Sequence, residues 1–202
     1  MFADNALQIS VDNKNHKSLE RRVMDHLNSR NFMTASATYH DVMPKEIKDR
    51  LSRLFDLTSL YLRGRSDRIA VHKILPITFE WEAKTHVNSK YQDLTVEALP
   101  MMQHIIKSWL GVKCLYVFEI NGNEGGFWVH EIPQIRCAWI PPRREYEEHR
   151  EFFIKRVRWL FKDMNIVENP VGGTGDPFFI IDKEQIARLI NWRILIDELL
   201  QQ

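Results

Sequence analysis

The chain has 202 residues, enough for one well-packed domain and short for two. Hydrophobic residues at 44%, charged residues at 27% and only 8 Gly and 8 Pro exclude a disordered, low-complexity or collagen-like chain. The formal charge is +1, no stretch reaches the roughly 18–20 apolar residues of a membrane span, and Met1-Phe2-Ala3-Asp4-Asn5 does not open like a secretory leader, so a soluble cytoplasmic protein with no membrane partner is expected.

Ser18 can cap a first helix in which Leu19, Val23, Met24 and Leu27 share one apolar face, ending near Asn31. Pro44 starts a short second helix carrying Ile47, Leu51, Leu54 and Phe55. Residues 57–87 turn to strands, with Arg63-Gly64-Arg65 and residues 73–76 as turns. The clearest strand is 77–84, where Ile77, Phe79, Trp81 and Ala83 face one way and Thr78, Glu80, Glu82 and Lys84 the other. Residues 94–110 read as a helix with Gly111 as its stop, Pro100 marking either a kink or the start of its longer part. Strands at 114–120 and 126–140 flank the turn Asn121-Gly122-Asn123, with Pro133 breaking or bulging the second. A charged helix over 143–164 buries Phe152, Phe153, Val157, Leu160 and Phe161, and a last helix runs over 183–200.

The charge balance hides an asymmetry, 15 basic against 11 acidic residues up to position 90 and 13 against 16 after it. Cys114 and Cys137 lack any zinc spacing and read as core thiols in a reducing compartment. The six tryptophans fit core or interface packing better than a base-stacking platform, Gly172-Gly173-Thr174-Gly175-Asp176-Pro177 reads as a loop, and His130-Glu131 lacks the second histidine of a zinc protease.

The strand at 77–84 carries the chemistry. Glu80 and Glu82 on one face repel each other, and paired carboxylates beside a lysine are relieved by a bound divalent cation. Asp67 supplies an acidic partner, because residues 66–71 form a strand that turns back at 73–76 to pair antiparallel with the strand of Glu82. The plain alternative is a solvated strand face. His86 falls on the same face if the strand continues, and Arg63, Arg65, Arg68 and Lys73 surround the acids, as a polyanionic substrate would require.

Ser66-Asp67 followed across a hairpin by Glu82-Ala83-Lys84 resembles the PD-(D/E)XK nuclease superfamily, with Ser66 in place of the motif's proline. Leu19-Glu20-Arg21-Arg22-Val23, Leu27 and Asn31-Phe32 are similar to the first helix of archaeal Holliday-junction resolvases, and the resemblance spans about residues 16–120. It implies a restriction-endonuclease-like α/β fold, a central mixed sheet flanked by helices; by length and pattern the chain reads as one domain over 1–202, with a core of about 16–140 and a helical C-terminal extension of about 141–202 that has no counterpart in that family. It also implies metal-dependent hydrolysis of DNA phosphodiester bonds, on branched or structured DNA, with RNA left open. Asp67, Glu82, the Ala83 carbonyl and Glu20 are the implied ligands of Mg²⁺ or Mn²⁺. Lys84 orients or helps deprotonate the attacking water and stabilises charge developing on the phosphate, the base role requiring the site to depress its pKa from about 10.4; Glu80 widens the acidic cluster, and Arg63, Arg65, Arg68 and His86 contact substrate phosphates. The basic half of the 143–162 helix offers a second backbone surface, and a homodimer follows from the two-fold symmetry of junctions, with the apolar C-terminal helix as its interface. The rival from another class is a noncatalytic nucleic-acid- or protein-binding module that keeps the fold.

Overall fold

The computed structural model describes residues 17–37, 43–51, 62, 66–86, 93–132, 134–140, 147–168 and 177–202. Helix α1 (17–29) buries Leu19, Val23 and Leu27 completely. Asn31, at φ 63°, takes the left-handed conformation that asparagine tolerates and turns the chain into β1 (Phe32–Ser36). That strand has no counterpart in the sequence reading. Its exposure alternates from Phe32 inward to Met33 outward, but it is five residues long and follows a helix without a linker. A short α2 (Lys45–Leu51) follows, its predicted continuation at Leu54 and Phe55 lying outside the described residues.

The main sheet has the order β1-β2-β3-β5-β6, with β2 (Arg68–His72), β3 (Thr78–His86), β5 (Cys114–Ile120) and β6 (Asn123–Trp128). β3 is antiparallel to β2 and parallel to β5, which makes the sheet mixed. Parallel neighbours need a long crossover, and here it runs through β4 (Leu94–Glu97) and α3 (Ala98–Trp109). The predicted helix over 94–110 is thus a strand for its first four residues. Leu94 and Val96 are buried at period two while Glu97 is exposed, and Pro100 falls in the first helical turn, where its missing N–H costs nothing.

A second sheet, β4-β9-β7-β8, holds β7 (Ile135–Ile140), β8 (Asn165–Glu168) and β9 (Phe178–Ile181). The predicted long strand over 126–140 is therefore two strands in different sheets, parted by a 3-10 turn at Val129–Glu131. β8 and β9, four residues each, bring strands into the C-terminal part expected to be helical. α4 (Glu147–Leu160), α5 (Lys183–Ile186) and α6 (Trp192–Leu199) are the described helices there. The last two split the predicted helix over 183–200, because the Asn191 side chain accepts from the Arg193 N–H and caps a fresh start.

One face of the main sheet, formed by Phe79, Trp81, Ala83, Leu115 and Val117, packs against α1 and α6. Trp192 is fully buried there and approaches so closely that a Cβ on Gly126 would lie 2.8 Å from the Trp192 Cβ and 2.9 Å from the Tyr116 carbonyl oxygen. The opposite face, with Cys114, Tyr116 and Phe118, lies under α3 and the second sheet in a core that includes Met101, Ile105, Ala138, Val157 and Phe179. The fold is mixed α/β, a central mixed sheet flanked by helices. No described helix is long and apolar enough to cross a membrane.

Candidate active site

Residues in register on parallel strands share a face, and Glu80, Glu82 and Lys84 stand opposite Cys114, Tyr116 and Phe118. The three charged side chains therefore point into the face roofed by α3 and not into water, and Glu82 is 3% exposed. A solvated strand face does not describe them.

The β2–β3 ladder ends at Arg68↔Trp81, so Asp67 lies just beyond the last paired residue. Its backbone N–H donates to Glu82 Oε2 at 3.0 Å, and its carbonyl accepts from the Ala37 N–H at 3.0 Å. Lys84 Nζ is 2.9 Å from Glu82 Oε1 and 3.5 Å from Glu97 Oε2. The Glu80 N–H donates to the Lys113 carbonyl on the β5 side. Alternation along β3 then turns the backbone groups of Ala83 toward the β2 edge, past the point where the ladder stops. Asp67 and the Glu82 carboxylate thus meet where the β2–β3 ladder ends, on the side toward which the Ala83 backbone turns.

Electrostatics set this cluster apart. Burial first, then the charge of Glu82, push the Asp67 carboxyl up to about 7; Lys84 opposes, while Glu20 and Glu97 add to the rise. Burial by itself would lower the Lys84 pKa, but Glu82, Glu97 and Asp67 together outweigh it and hold the ammonium well above lysine's ordinary value. Lys84 is therefore a permanent cation in this arrangement, suited to orienting a water or a phosphate and not to removing a proton. Carboxylates crowded until one stays protonated near neutrality form a hard-oxygen donor set that a divalent cation would fit.

Glu97 is a member that the sequence reading missed. It ends β4 and stands at the N-cap of α3, an ordinary place for an acid, and the helix drawn across residues 94–110 hid that boundary. Glu20, on α1, reaches the rim of the cluster: its Oε2 is 3.8 Å from the Arg68 guanidinium, and its charge acts on Asp67. Arg68 is accordingly turned toward the α1 side, its Nε buried with no hydrogen-bond partner among the described residues. The backbone of His86 continues β3 opposite Ile120, while its side chain, Arg63, Arg65 and the loop at 172–176 lie outside the described residues.

Glu80 does not join the Asp67 group. Its carboxylate accepts from Lys107 Nζ at 2.8 and 3.2 Å and from the Ser66 hydroxyl at 2.8 Å. Burial opposes ionisation, but the bonds and charge of Lys107, with Ser66, keep its pKa below the usual value. The Ser66 hydroxyl, completely buried, also lies 2.8 Å from His104 Nε2, whose Nδ1 lies 2.8 Å from the Tyr116 hydroxyl. Burial and the Lys107 charge drive His104 down to about 3, so its ring is neutral. Among the described residues, the one trio of ligand-type side chains with donor atoms all within 4.8 Å of one another is Glu80, His104 and Cys114. Lys107 already neutralises the Glu80 carboxylate and the Ser66 hydroxyl bridges Glu80 to His104, so the trio forms a satisfied hydrogen-bond network. Its effect is local. Ser66 is pinned from two sides and fixes the backbone that presents Asp67.

No protein-family profile and no curated protein matches the chain. Among solved structures it is similar to Hjc of Archaeoglobus fulgidus, a Holliday junction resolvase from an archaeal hyperthermophile, at 12% identity and a TM-score of 0.45, over 90% of this chain and 98% of that one. At that identity and TM-score the likeness fixes neither fold nor activity.

Proposed function

We propose that the protein is a metal-dependent nuclease that hydrolyses DNA phosphodiester bonds, acting on branched or otherwise structured DNA. The observation that carries this reading is the meeting of Asp67, Glu82 and Lys84 at the open end of β3, with the Asp67 carboxyl pushed up to about 7 by burial and its acidic neighbours. Asp67, Glu82, the Ala83 carbonyl and Glu20 would hold Mg²⁺ or Mn²⁺, and Glu97 is close enough in charge to share that duty. A bound ion would supply Lewis acidity and an ionised water at neutral pH.

The chain's own groups do the rest. Lys84 stays charged, orients the nucleophile and offsets negative charge growing on the phosphate. Arg68 holds Glu20 at the rim, and Arg63, Arg65 and His86 provide phosphate contacts. Glu80 acts one step removed, through Ser66 on the placement of Asp67. A soluble cytoplasmic homodimer on a two-fold symmetric junction completes the proposal.

The test is cleavage of linear duplex, single-stranded and four-way-junction DNA with Mg²⁺ or Mn²⁺, comparing wild type with Asp67→Ala, Glu82→Ala and Lys84→Ala. Each substitution is expected to lower the rate by about 100-fold or more. Unchanged rates in the variants would sink the site assignment. DNA binding without cleavage under any condition would identify a noncatalytic module.

A further inference from the structure

Trp109 and Trp159 lie outside the core, 61% and 60% exposed, whereas Trp81, Trp128 and Trp192 are buried. The two exposed rings meet edge to face, with centroids 5.9 Å apart and planes at 67°. Trp109 ends α3 beside Leu110, itself 81% exposed; Trp159 lies in the last turn of α4. Two helices thus bring their largest apolar side chains together in water, where burying either ring would be worth a few kcal/mol.

The surroundings state what kind of partner fits. Residues 155–162 read Lys-Arg-Val-Arg-Trp-Leu-Phe-Lys, four cations without an acid, and Lys155, Arg158 and Lys162 are exposed. Lys155 precedes Trp159 by one helical turn and shares its face, while Lys162 follows just past the helix end. Exposed indole rings bordered by cations offer stacking surfaces for bases and neutralisation for phosphates, the combination that binds single-stranded nucleic acid without sequence preference. A second copy of this chain would meet the same cations with its own.

We infer that Trp109 and Trp159, with Lys155, Arg158 and Lys162, form a stacking platform for unpaired bases of the nucleic acid. This deepens the nuclease reading and rests on it for the substrate class. α3 links the two sites directly, since Glu97 at its N-cap belongs to the acidic cluster and Trp109 is its last residue, about 18 Å along the axis. A strand unpaired at the platform would run along the helix toward the carboxylates.

The experiment measures binding of a fluorescein-labelled 20-nucleotide oligo(dT) and a 20-base-pair duplex to the full chain in EDTA, so that no cleavage intervenes. Trp109→Ala and Trp159→Ala are each expected to weaken oligo(dT) binding about 10-fold or more and duplex binding less than 2-fold, and Trp159→Phe to keep most of the affinity. Equal affinity for oligo(dT) in wild type and both alanine variants overturns the platform. So does a wild-type dimer in sedimentation that becomes monomeric in the variants with oligo(dT) affinity unchanged, which would make the patch an interface between copies. Cleavage that depends on Asp67, alongside oligo(dT) binding indifferent to the tryptophans, defeats the platform alone. Tryptophan-dependent binding in a protein that never cleaves defeats the nuclease reading and leaves the platform standing.

Discussion

Lys107→Met tests the buried network beneath α3 quantitatively. Lys107 is 5% exposed and its ammonium holds Glu80 through contacts of 2.8 and 3.2 Å. Removing one partner of a fully buried ion pair costs about 3–5 kcal/mol. The Glu80 side chain is 22% exposed and keeps its bond from Ser66, so water and that bond absorb part of the loss, leaving about 2–3 kcal/mol. In urea unfolding followed by tryptophan fluorescence that is roughly a 30- to 150-fold fall in the folding equilibrium constant. Two further results must accompany it. Glu80's carboxyl lies below its ordinary value of 4.5 in the fold, so its stabilising contribution is present above about pH 4.5 and is lost as pH falls through the depressed folded pKa. The penalty of Lys107→Met must therefore shrink in acid, where Glu80 is protonated. It must also shrink in a Glu80→Gln background, where no buried charge is stranded. A loss under 0.5 kcal/mol at pH 7, or one that is the same with Gln at position 80, refutes the reasoning.

Asp67 predicts a pH dependence of opposite sign. Its pKa rises from 3.8 to about 7 on folding, so its favourable contribution is fully present below 3.8 and is lost as pH rises through 7. Metal-free Asp67→Asn should therefore exceed wild type in stability at pH 8 by about 2–3 kcal/mol, less at pH 5, in chemical denaturation at both pH values. Mg²⁺ should raise the melting temperature of the wild type and leave that of Asp67→Asn nearly unchanged; equal shifts would remove Asp67 from the ligand set. Gly126→Ala should destabilise by about 1–3 kcal/mol, because the Trp192 Cβ and the Tyr116 carbonyl lie under 3.0 Å from where the new methyl would sit. A melting temperature within 1 °C of wild type would show that α6 can shift without loss.

How much of the site was legible follows from what spacing encodes. Period two placed Glu80, Glu82 and Lys84 on one face, and a turn at 73–76 placed Asp67 beside Glu82, because those relations depend only on strand geometry and a short hairpin. Glu97 and the Lys107–Glu80–Ser66–His104 network were not legible, since they arise where α3 crosses over the sheet, through contacts between residues 13 to 38 positions apart. The same crossing decided that Glu80 belongs with Lys107 and not with Asp67, although both glutamates look alike in a strand pattern.

The sequence by itself determined the α1 and β3 faces, the Asp67–Glu82–Lys84 grouping and the C-terminal ends of α1 and α3, because local periodicity, asparagine at positive φ and Gly111 at φ 85° act over a few residues. Only the tertiary structure decided that the short segments β1, β4, β8 and β9 are strands, since four or five residues become a strand by finding a partner ladder, not by their own propensity. It alone also decided that the carboxylate face is buried and that Trp109 and Trp159 are not. Burial belongs to what packs on a face, and nothing in a face's own residues declares what covers it.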